Sequence, residues 1–235
     1  SVLFLFYCFS VGWAQTVPPC TLEITDAETF ARDWTVIDVN SNVSANTWAY
    51  NDGNAMYTQD KSNAADDWLI APAVTLEAGK AYKVSAYVKH SSTFGSDKQK
   101  IELKIGTAPT VEGLTTRLVY DESFQSRLFV EKSGTFSPAE SGVFYVGLRC
   151  YSGSYMGDLY FQKIVIEEAP VYPVQITDLS IVAGERGAMS ATLSWTWPSS
   201  DHLGGALSNL LGAKIYRGTD LVATLDTATV GGKAG

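Results

Sequence analysis

Hydrophobic and polar residues alternate one by one along several stretches of this chain, which is the pattern of a β-strand with one buried face. In the clearest stretch, Tyr82 to Lys89, every second residue is apolar or small, and Ile101 to Ile105 alternates apolar residues with Glu and Lys. A polar loop, Ser91 to Lys98, lies between them. The pattern predicts two antiparallel strands, each with one packed and one solvated face.

Two later stretches add strands, whereas a single stretch suggests a helix. Phe144 to Cys150 places its apolar residues on one face, and Leu159 to Ile166 is almost continuously apolar, as in a strand at the centre of a sheet. Thr25 to Glu28 fits the capping box that begins a helix, and Phe30 and Trp34 follow it four residues apart. We expect one or two helical turns there, with both rings packed inward.

The pattern changes after the segment Glu167–Pro173, where two prolines bracket a short extended connector of the kind that joins domains. Beyond it, Ile176–Ile181 and Ala191–Trp195 predict two strands, and Lys214–Leu225 predicts a hairpin. This amounts to about four strands, whereas an immunoglobulin-like sandwich needs about seven. We therefore expect a second, partial domain that exposes apolar faces and strand edges.

The first residues predict export. Val2 to Phe9 is a short apolar run; Val11–Ala14 follows it, and then the polar Gln15 and Thr16, which is typical of the end of a secretory signal peptide. We predict that residues 1–14 are a signal peptide whose first residues precede this sequence; the alternative is a buried first strand. The run is too short to span a bilayer, so we expect no membrane span in the mature chain, which would be secreted or at the cell surface.

Composition agrees with an all-β chain and narrows the choice of partners. Aromatic residues make up 12% and charged residues 18% of the 235 residues, and 20 are glycine. The formal net charge is −8. An acidic chain offers no electrostatic footprint for nucleic acid, so we expect no nucleic-acid partner.

Spaced motifs resemble one family. Asp66–Pro72 followed by the Ala78–Tyr82 turn resembles the choice-of-anchor J, or cleaved adhesin, domain of Bacteroidetes-type surface proteins. Trp34–Asp38 with Trp48, and Ser141–Leu148, fit the same family in the same order. The resemblance implies an all-β jelly-roll β-sandwich, related in shape to MAM and carbohydrate-binding modules. Such domains occur in the adhesin regions of gingipain-type proteases and beside many exported enzymes.

The tail resembles a fibronectin type III domain through Ile176–Leu179, Ala191–Trp195 and Ile215–Arg217. The resulting organisation is a signal peptide over 1–14, an adhesin-type jelly roll over 15–168, a linker over 169–174 and a partial immunoglobulin-like fibronectin type III β-sandwich over 175–235. Further domains are expected beyond residue 235, because the second sandwich is incomplete.

The family resemblance also implies structural calcium. Calcium takes six to eight oxygen ligands, usually several converging carboxylates, and the candidate ligands are Asp26, Glu28, Asp67 and Asp158. The family usually has an acidic pair in its last strand, where this chain has Gln162 and Lys163. A lysine there opposes a cation.

Two cysteines remain after removal of the signal peptide, Cys20 and Cys150. In an exported chain they could form one disulfide, because first and late strands often meet in antiparallel sandwiches. The alternative is two separate thiols, with Cys150 buried as a small apolar residue. Neither cysteine has the spacing of a metal ligand.

Aromatic residues beside polar loops are the candidates for ligand binding. Trp48, Tyr50 and Tyr57 flank a loop that contains Asn51 and Asp52. Tyr151 and Tyr155 flank a second loop, 152–154. Rings beside amide and carboxylate groups suit a sugar face or a protein contact; the alternative is that several of these rings belong to the core, where we place Trp34 and Trp68.

No catalytic arrangement is evident. The two histidines, His90 and His202, are expected on the surface or in loops, and no serine lies in a nucleophile-elbow motif. Asp66 and Asp67 are adjacent, so on a strand they point to opposite faces. We predict a non-catalytic adhesion or binding module for a glycan or an extracellular protein. The alternatives are an ancillary domain of a larger secreted peptidase or glycoside hydrolase, and a structural spacer.

Overall fold

The computed structural model describes residues 16–40, 46–92, 94–202, 204–207 and 209–234. The predicted signal peptide, 1–14, lies outside the described residues. The chain divides into two compact units, one that ends at Ala169 and one that begins at Pro170. Within the described ranges, no helix is long and apolar enough to cross a membrane.

The described part of the first unit contains one short helix and twelve strands. The helix is α1 (Ala27–Asp33), and the strands are β1 (Cys20–Glu23), β2 (Thr35–Asp38), β3 (Trp48–Asn51), β4 (Asn54–Tyr57), β5 (Asp67–Ile70), β6 (Val74–Leu76), β7 (Tyr82–His90), β8 (Gln99–Gly106), β9 (Thr116–Phe124), β10 (Val130–Phe136), β11 (Gly142–Cys150) and β12 (Leu159–Glu168).

These strands form two antiparallel sheets in a jelly-roll sandwich, as the sequence predicted. The first sheet has the order β10-β7-β12-β4-β3, with β1 also paired to β12. The second sheet has the order β2-β5-β11-β8-β9, with β6 also paired to β11. Neighbours in each sheet are mostly distant in sequence, so the fold depends on long-range pairing.

The core lies between the two sheets and follows the predicted alternation. On β7, Tyr82, Val84, Ala86 and Val88 are buried, and on β12 Phe161, Ile164 and Ile166 are buried opposite residues of the second sheet. Burial of this continuous apolar layer supplies the main stabilisation, at about 25 cal/mol per Å².

A smaller apolar cluster lies on the outer face of the second sheet. Trp68 and Ile70 of β5 pack there under Leu114, which belongs to the connection between β8 and β9. Gly147 of β11 makes this approach possible, since a Cβ atom at this position would overlap the Leu114 side chain and lie 3.1 Å from the Trp68 ring. Trp68 is therefore buried as predicted, but on the outer side of its sheet.

Helix α1 begins one residue later than the capping box predicted. Asp26 is the N-cap, and its Oδ1 accepts a hydrogen bond of 2.8 Å from the Thr29 backbone N–H. The Thr25 hydroxyl instead donates to Asp26 Oδ2 at 3.0 Å. An aspartate satisfies the free N–H groups of the first turn as well as a threonine does. Phe30 and Trp34 both reach the core, which confirms the inward packing of these two rings.

The second unit consists of short strands, β13 (Ser180–Ala183), β14 (Ala191–Thr196), β15 (Ala213–Arg217), β16 (Asp220–Leu225) and β17 (Lys233–Ala234). The strands β13, β14 and β17 form one sheet, and β15 and β16 form the predicted hairpin. Trp195 and Trp197 are buried, with ring centroids 5.3 Å apart. On β14, Ala191 is exposed and Leu193 is half-buried, because these small sheets leave much of their apolar surface uncovered.

Candidate ligand-binding site

Two of the predicted ligand-binding residues, Trp48 and Tyr57, belong to the core instead. They lie opposite each other in the β3–β4 hairpin and point inward together, with 3% and 2% of their surfaces exposed. Their ring centroids are 6.1 Å apart in an edge-to-face arrangement, and Trp48 Nε1 donates to the Asp67 carbonyl at 3.2 Å. The prediction that they bind ligand is wrong because the hairpin register turns both of them inward.

The residues at the tip of this hairpin form a turn. Asp52 and Gly53 have φ angles of +44° and +74°, which is the backbone of the two-residue turn that matches the twist of a hairpin. Asn54 Nδ2 donates to the Asp52 carbonyl at 3.0 Å. Tyr50 packs partly on the core, and Asn51 pairs with Asn54. None of these residues lines the groove described below.

Tyr151 and Tyr155 have different surroundings, although four residues separate them. Tyr151 stacks on Tyr120 at a centroid distance of 5.9 Å, and the Arg149 guanidinium lies 5.1 Å from its ring. Tyr155 is 59% exposed. Ser152 between them is buried, and its hydroxyl accepts a hydrogen bond of 2.8 Å from the Lys100 backbone N–H. This bond ties the loop to β8.

Tyr155 lines a groove at one end of the sandwich. Three connections form it: the segment after β4, the loop between β7 and β8, and the loop between β11 and β12. Its volume is about 240 Å³, and it is lined by Gln59, Ser91, Ser92, Phe94, Asp97, Tyr155 and Gly157. Phe94 is 70% exposed, so two exposed rings border a pocket whose other side chains are polar.

Backbone hydrogen bonds hold Tyr155 in place. Its N–H donates to the Asp60 carbonyl at 2.7 Å, and its φ of +61° is a value that side-chain-bearing residues seldom adopt. The Gly157 N–H donates to Gln59 Oε1 at 2.8 Å. On the inner side, Gln99 Nε2 donates to the Gly157 carbonyl at 2.6 Å. The ring is therefore presented by a loop that is fixed on both of its sides.

Phe94 is held in a similar way on the opposite loop. Its N–H donates to Ser92 Oγ at 3.1 Å, and its carbonyl accepts a hydrogen bond of 2.7 Å from Gln125 Nε2. The Asp97 carboxylate accepts from the Ser92 hydroxyl at 2.5 Å and from the Ser96 hydroxyl at 3.0 Å. Rigid loops bind at a lower entropic cost than loops that must be ordered by the ligand.

A second carboxylate lies behind the groove. Asp158 Oδ1 accepts a hydrogen bond of 3.0 Å from the Gln59 N–H, and the Asp158 N–H donates to Ser91 Oγ at 2.7 Å. Asp158 thus contacts two lining residues. Its role here is to join two of the connections that form the groove.

The sequence analysis identified Tyr155 but missed Phe94, Gln59 and Asp97. A large apolar residue inside the polar loop 91–98 was a usable signal, since such a side chain has no core to enter from a loop tip. His90 was expected at the surface and is buried, because it is the last inward residue of β7. Its Nε2 lies 2.5 Å from the Met156 carbonyl, directly beneath the groove loop.

The four predicted calcium ligands have other surroundings. Asp26 caps helix α1, Glu28 is exposed, Asp158 joins two connections, and Asp67 is buried in β5. Among the described residues, no group of three or more acidic, histidine or cysteine side chains could hold a metal ion. Calcium binding by this chain stays a prediction.

The two cysteines are separate thiols, as the alternative to a disulfide predicted. Cys20 pairs with Ile166 on β12, whereas Cys150 donates to Gln99, whose side chain reaches Gly157 just before β12 begins. The length of β12 between these points is on the order of 25 Å at about 3.3 Å per residue. A disulfide needs Cα atoms within about 7 Å of each other, so the predicted bond is not formed.

Neither a protein-family model nor a curated protein matches this chain. Similar solved structures include the K1 cleaved adhesin domain of Lys-gingipain from Porphyromonas gingivalis W83, at 15% identity and a TM-score of 0.46, covering 64% of this chain and 99% of that one. The K3 domain of the same protein has 11% identity and a TM-score of 0.45, covering 61% and 92%.

A further similar structure is the C-terminal CBM6 of LamC, a marine laminarinase from Zobellia galactanivorans. It has 17% identity and a TM-score of 0.35, and the match covers 63% of this chain and 99% of that one. No function follows from identities and TM-scores this low.

Proposed function

We propose that the first unit is a non-catalytic binding module whose loop-end groove recognises a short stretch of saccharide. The observation that carries this proposal is the pair of exposed rings, Phe94 and Tyr155, on the rim of a groove with polar side chains. Aromatic faces provide apolar contact area for the C–H face of a sugar ring, and the polar groups bind its hydroxyls.

The dimensions and rigidity of the groove support a small ligand. Pockets for drug-sized ligands have volumes of about 300 to 1,000 Å³, so a groove of about 240 Å³ suits one or two sugar rings. Both rings lie on loops that are fixed by hydrogen bonds to the sandwich. Sites on loops that a rigid scaffold positions are common in binding domains.

The proposal places the module outside the cell, as a secreted or surface protein that attaches to a glycan. The apolar run of residues 2–9 supports export. Attachment to an extracellular protein is the second candidate ligand class. The exposed rings favour it less than a saccharide, because they border a narrow groove and not a broad flat surface.

Titration calorimetry of the full chain with neutral hexasaccharides of glucose, xylose, mannose and galactose tests the proposal. Phe94→Ala and Tyr155→Asn should each weaken binding at least tenfold, since central aromatic contacts dominate binding energy. Asparagine is chosen at residue 155 because it tolerates positive φ. Tyr216→Ala, which removes an equally exposed ring in the second unit, should leave affinity unchanged. Saccharide binding that survives both groove variants contradicts the proposal.

A further inference from the structure

The charge that lines the groove is negative. Asp97 is the charged side chain of the lining, which contains no lysine or arginine among its described residues. Asp158 contacts the lining residues Gln59 and Ser91 from behind. The groove therefore presents a carboxylate at its surface and has a second one close behind.

These two carboxylates lack the neighbouring cation that several other acids of the first unit have. Elsewhere Asp121 pairs with Lys132 at 2.7 Å, and Asp66 pairs with Arg149 at 2.7 Å. None of the ion pairs between described residues includes Asp97 or Asp158. Among the described residues, the two carboxylates are stabilised by hydrogen bonds and not by ion pairs.

Asp97 also has acceptor capacity left. An ionised carboxylate has about four acceptor positions and no donor. Two positions are taken by the hydroxyls of Ser92 and Ser96. The remaining positions can bind only a donor, which for a saccharide means a hydroxyl, an amide N–H or an ammonium group. A carboxylate or sulfate group of a ligand would meet Asp97 with like charge and without a cation between them.

We infer that the groove takes neutral or amine-bearing saccharides and rejects acidic ones such as uronic acids. This inference rests on the proposed function, because it specifies the ligand class of the same site. Repulsion by Asp97 in a partly desolvated groove should weaken a uronic acid at least tenfold relative to the neutral sugar of the same configuration. An amine-bearing sugar should bind more tightly than its neutral counterpart, and added salt should reduce that advantage.

The experiment compares matched hexasaccharides of one configuration at pH 6, where amino sugars carry charge. The neutral glucan, the glucosamine oligomer and the glucuronic acid oligomer form one series; mannan with mannuronan, and galactan with galacturonan, provide two more pairs. Asp97→Asn should raise the affinity for the uronic oligomer relative to the neutral sugar and lower the affinity for the amino oligomer relative to the neutral sugar. Asp52→Asn, an equal charge change in the exposed β3–β4 turn, should change none of these ratios.

The outcomes separate the two proposals. If a uronic oligomer binds as tightly as its neutral partner and needs Phe94, the inference is overturned while the saccharide site stands. If Asp97→Asn and Asp52→Asn have equal effects, the selectivity arises from the net charge and the inference also fails. If no saccharide of any series binds, both proposals are overturned. The same holds if the protein binds only an oligolysine peptide, which is included as a positively charged ligand that is not a saccharide.

Discussion

Asp67 is a buried acid in the core of the first unit, and its replacement by asparagine should change how stability depends on pH. The side chain has no exposed surface and lies opposite Asp38 in the pairing of β2 with β5. Its Oδ2 accepts a hydrogen bond of 3.0 Å from the Asp66 N–H, and its Oδ1 has no hydrogen-bond partner in the described structure. Burial raises the pKa of the Asp67 carboxyl from 3.8 to about 6, and the charge of Asp38 adds to the rise.

The sign and size of the effect follow from proton binding. The folded protein holds the Asp67 proton more tightly than the unfolded chain does, so this group stabilises the fold fully below about pH 4 and loses that contribution as pH rises through 6. This difference between the folded and unfolded pKa of Asp67 corresponds to about 3 kcal/mol in the free energy of unfolding. Carboxyls with a lowered pKa, such as Glu131, which accepts a hydrogen bond from Lys83, act in the opposite direction and mainly below pH 4.5.

Asp67→Asn keeps the shape of the side chain and removes the titration. Urea unfolding of wild type and variant at pH 4.5, 5.5, 6.5 and 7.5, followed by circular dichroism with a chelator present, measures the difference between their free energies of unfolding. As pH rises, the free energy of unfolding of the variant should increase by about 2 to 3 kcal/mol relative to that of wild type. The exposed Asp52→Asn variant should show no such trend. A difference that stays constant with pH would refute the raised pKa of Asp67.

Three further predictions concern packing, ion pairing and thiol reactivity. Gly147→Ala should lower the free energy of unfolding by about 1 to 3 kcal/mol in urea titrations, because the new methyl group overlaps Leu114; an unchanged midpoint would contradict the close contact. Arg149→Met should cost a similar amount in the same titrations, because it removes the cation that binds Asp66 at 2.7 Å and lies 3.5 Å from the buried Glu102 carboxylate; an unchanged free energy of unfolding would contradict this pairing. Burial raises the pKa of the Cys150 thiol to about 12, so iodoacetamide should label it only after unfolding; peptide mass spectrometry would detect labelling of the native protein.

The strands β7, β8 and β11 were predictable because alternation indicates a buried face, and β12 because its residues are nearly all apolar. The edge strands β9 and β10 were not predicted, since most of their residues are exposed or half-buried. On β7 and β8 every predicted inward residue is buried, although Ser85 and Glu102 on the other face are buried as well. The same signal could not tell which side of a strand faces the main core. Trp68 lies on the outer face, and it is buried there only because a loop 46 residues later brings Leu114 over it. A contact of this kind depends on pairings that no local pattern contains.

The candidate site was less predictable for the same reason. Tyr155 was found because it flanks a polar loop, but the same rule also selected Trp48 and Tyr57, which the hairpin register turns into the core. Phe94 was missed, although it lies within the predicted loop. Three connections far apart in sequence meet at the groove, so its composition follows from the order of the strands and not from any single segment.

The outer face of the second sheet is the main competitor for ligand binding within the first unit, and its own contacts argue against it. Glu102 binds Arg117 at 2.8 Å and lies 3.5 Å from Arg149, so its carboxylate is already balanced by cations. Tyr120 has the Tyr151 ring stacked on it at 5.9 Å and the Arg117 guanidinium 4.7 Å from its centroid. A ligand would have to displace these pairs before it gained contacts of its own. New ion pairs that it formed at this exposed surface would add little binding energy. In the groove the proposed saccharide would meet two exposed rings and a carboxylate that no described cation pairs with, so no ion pair among the described residues would have to be broken.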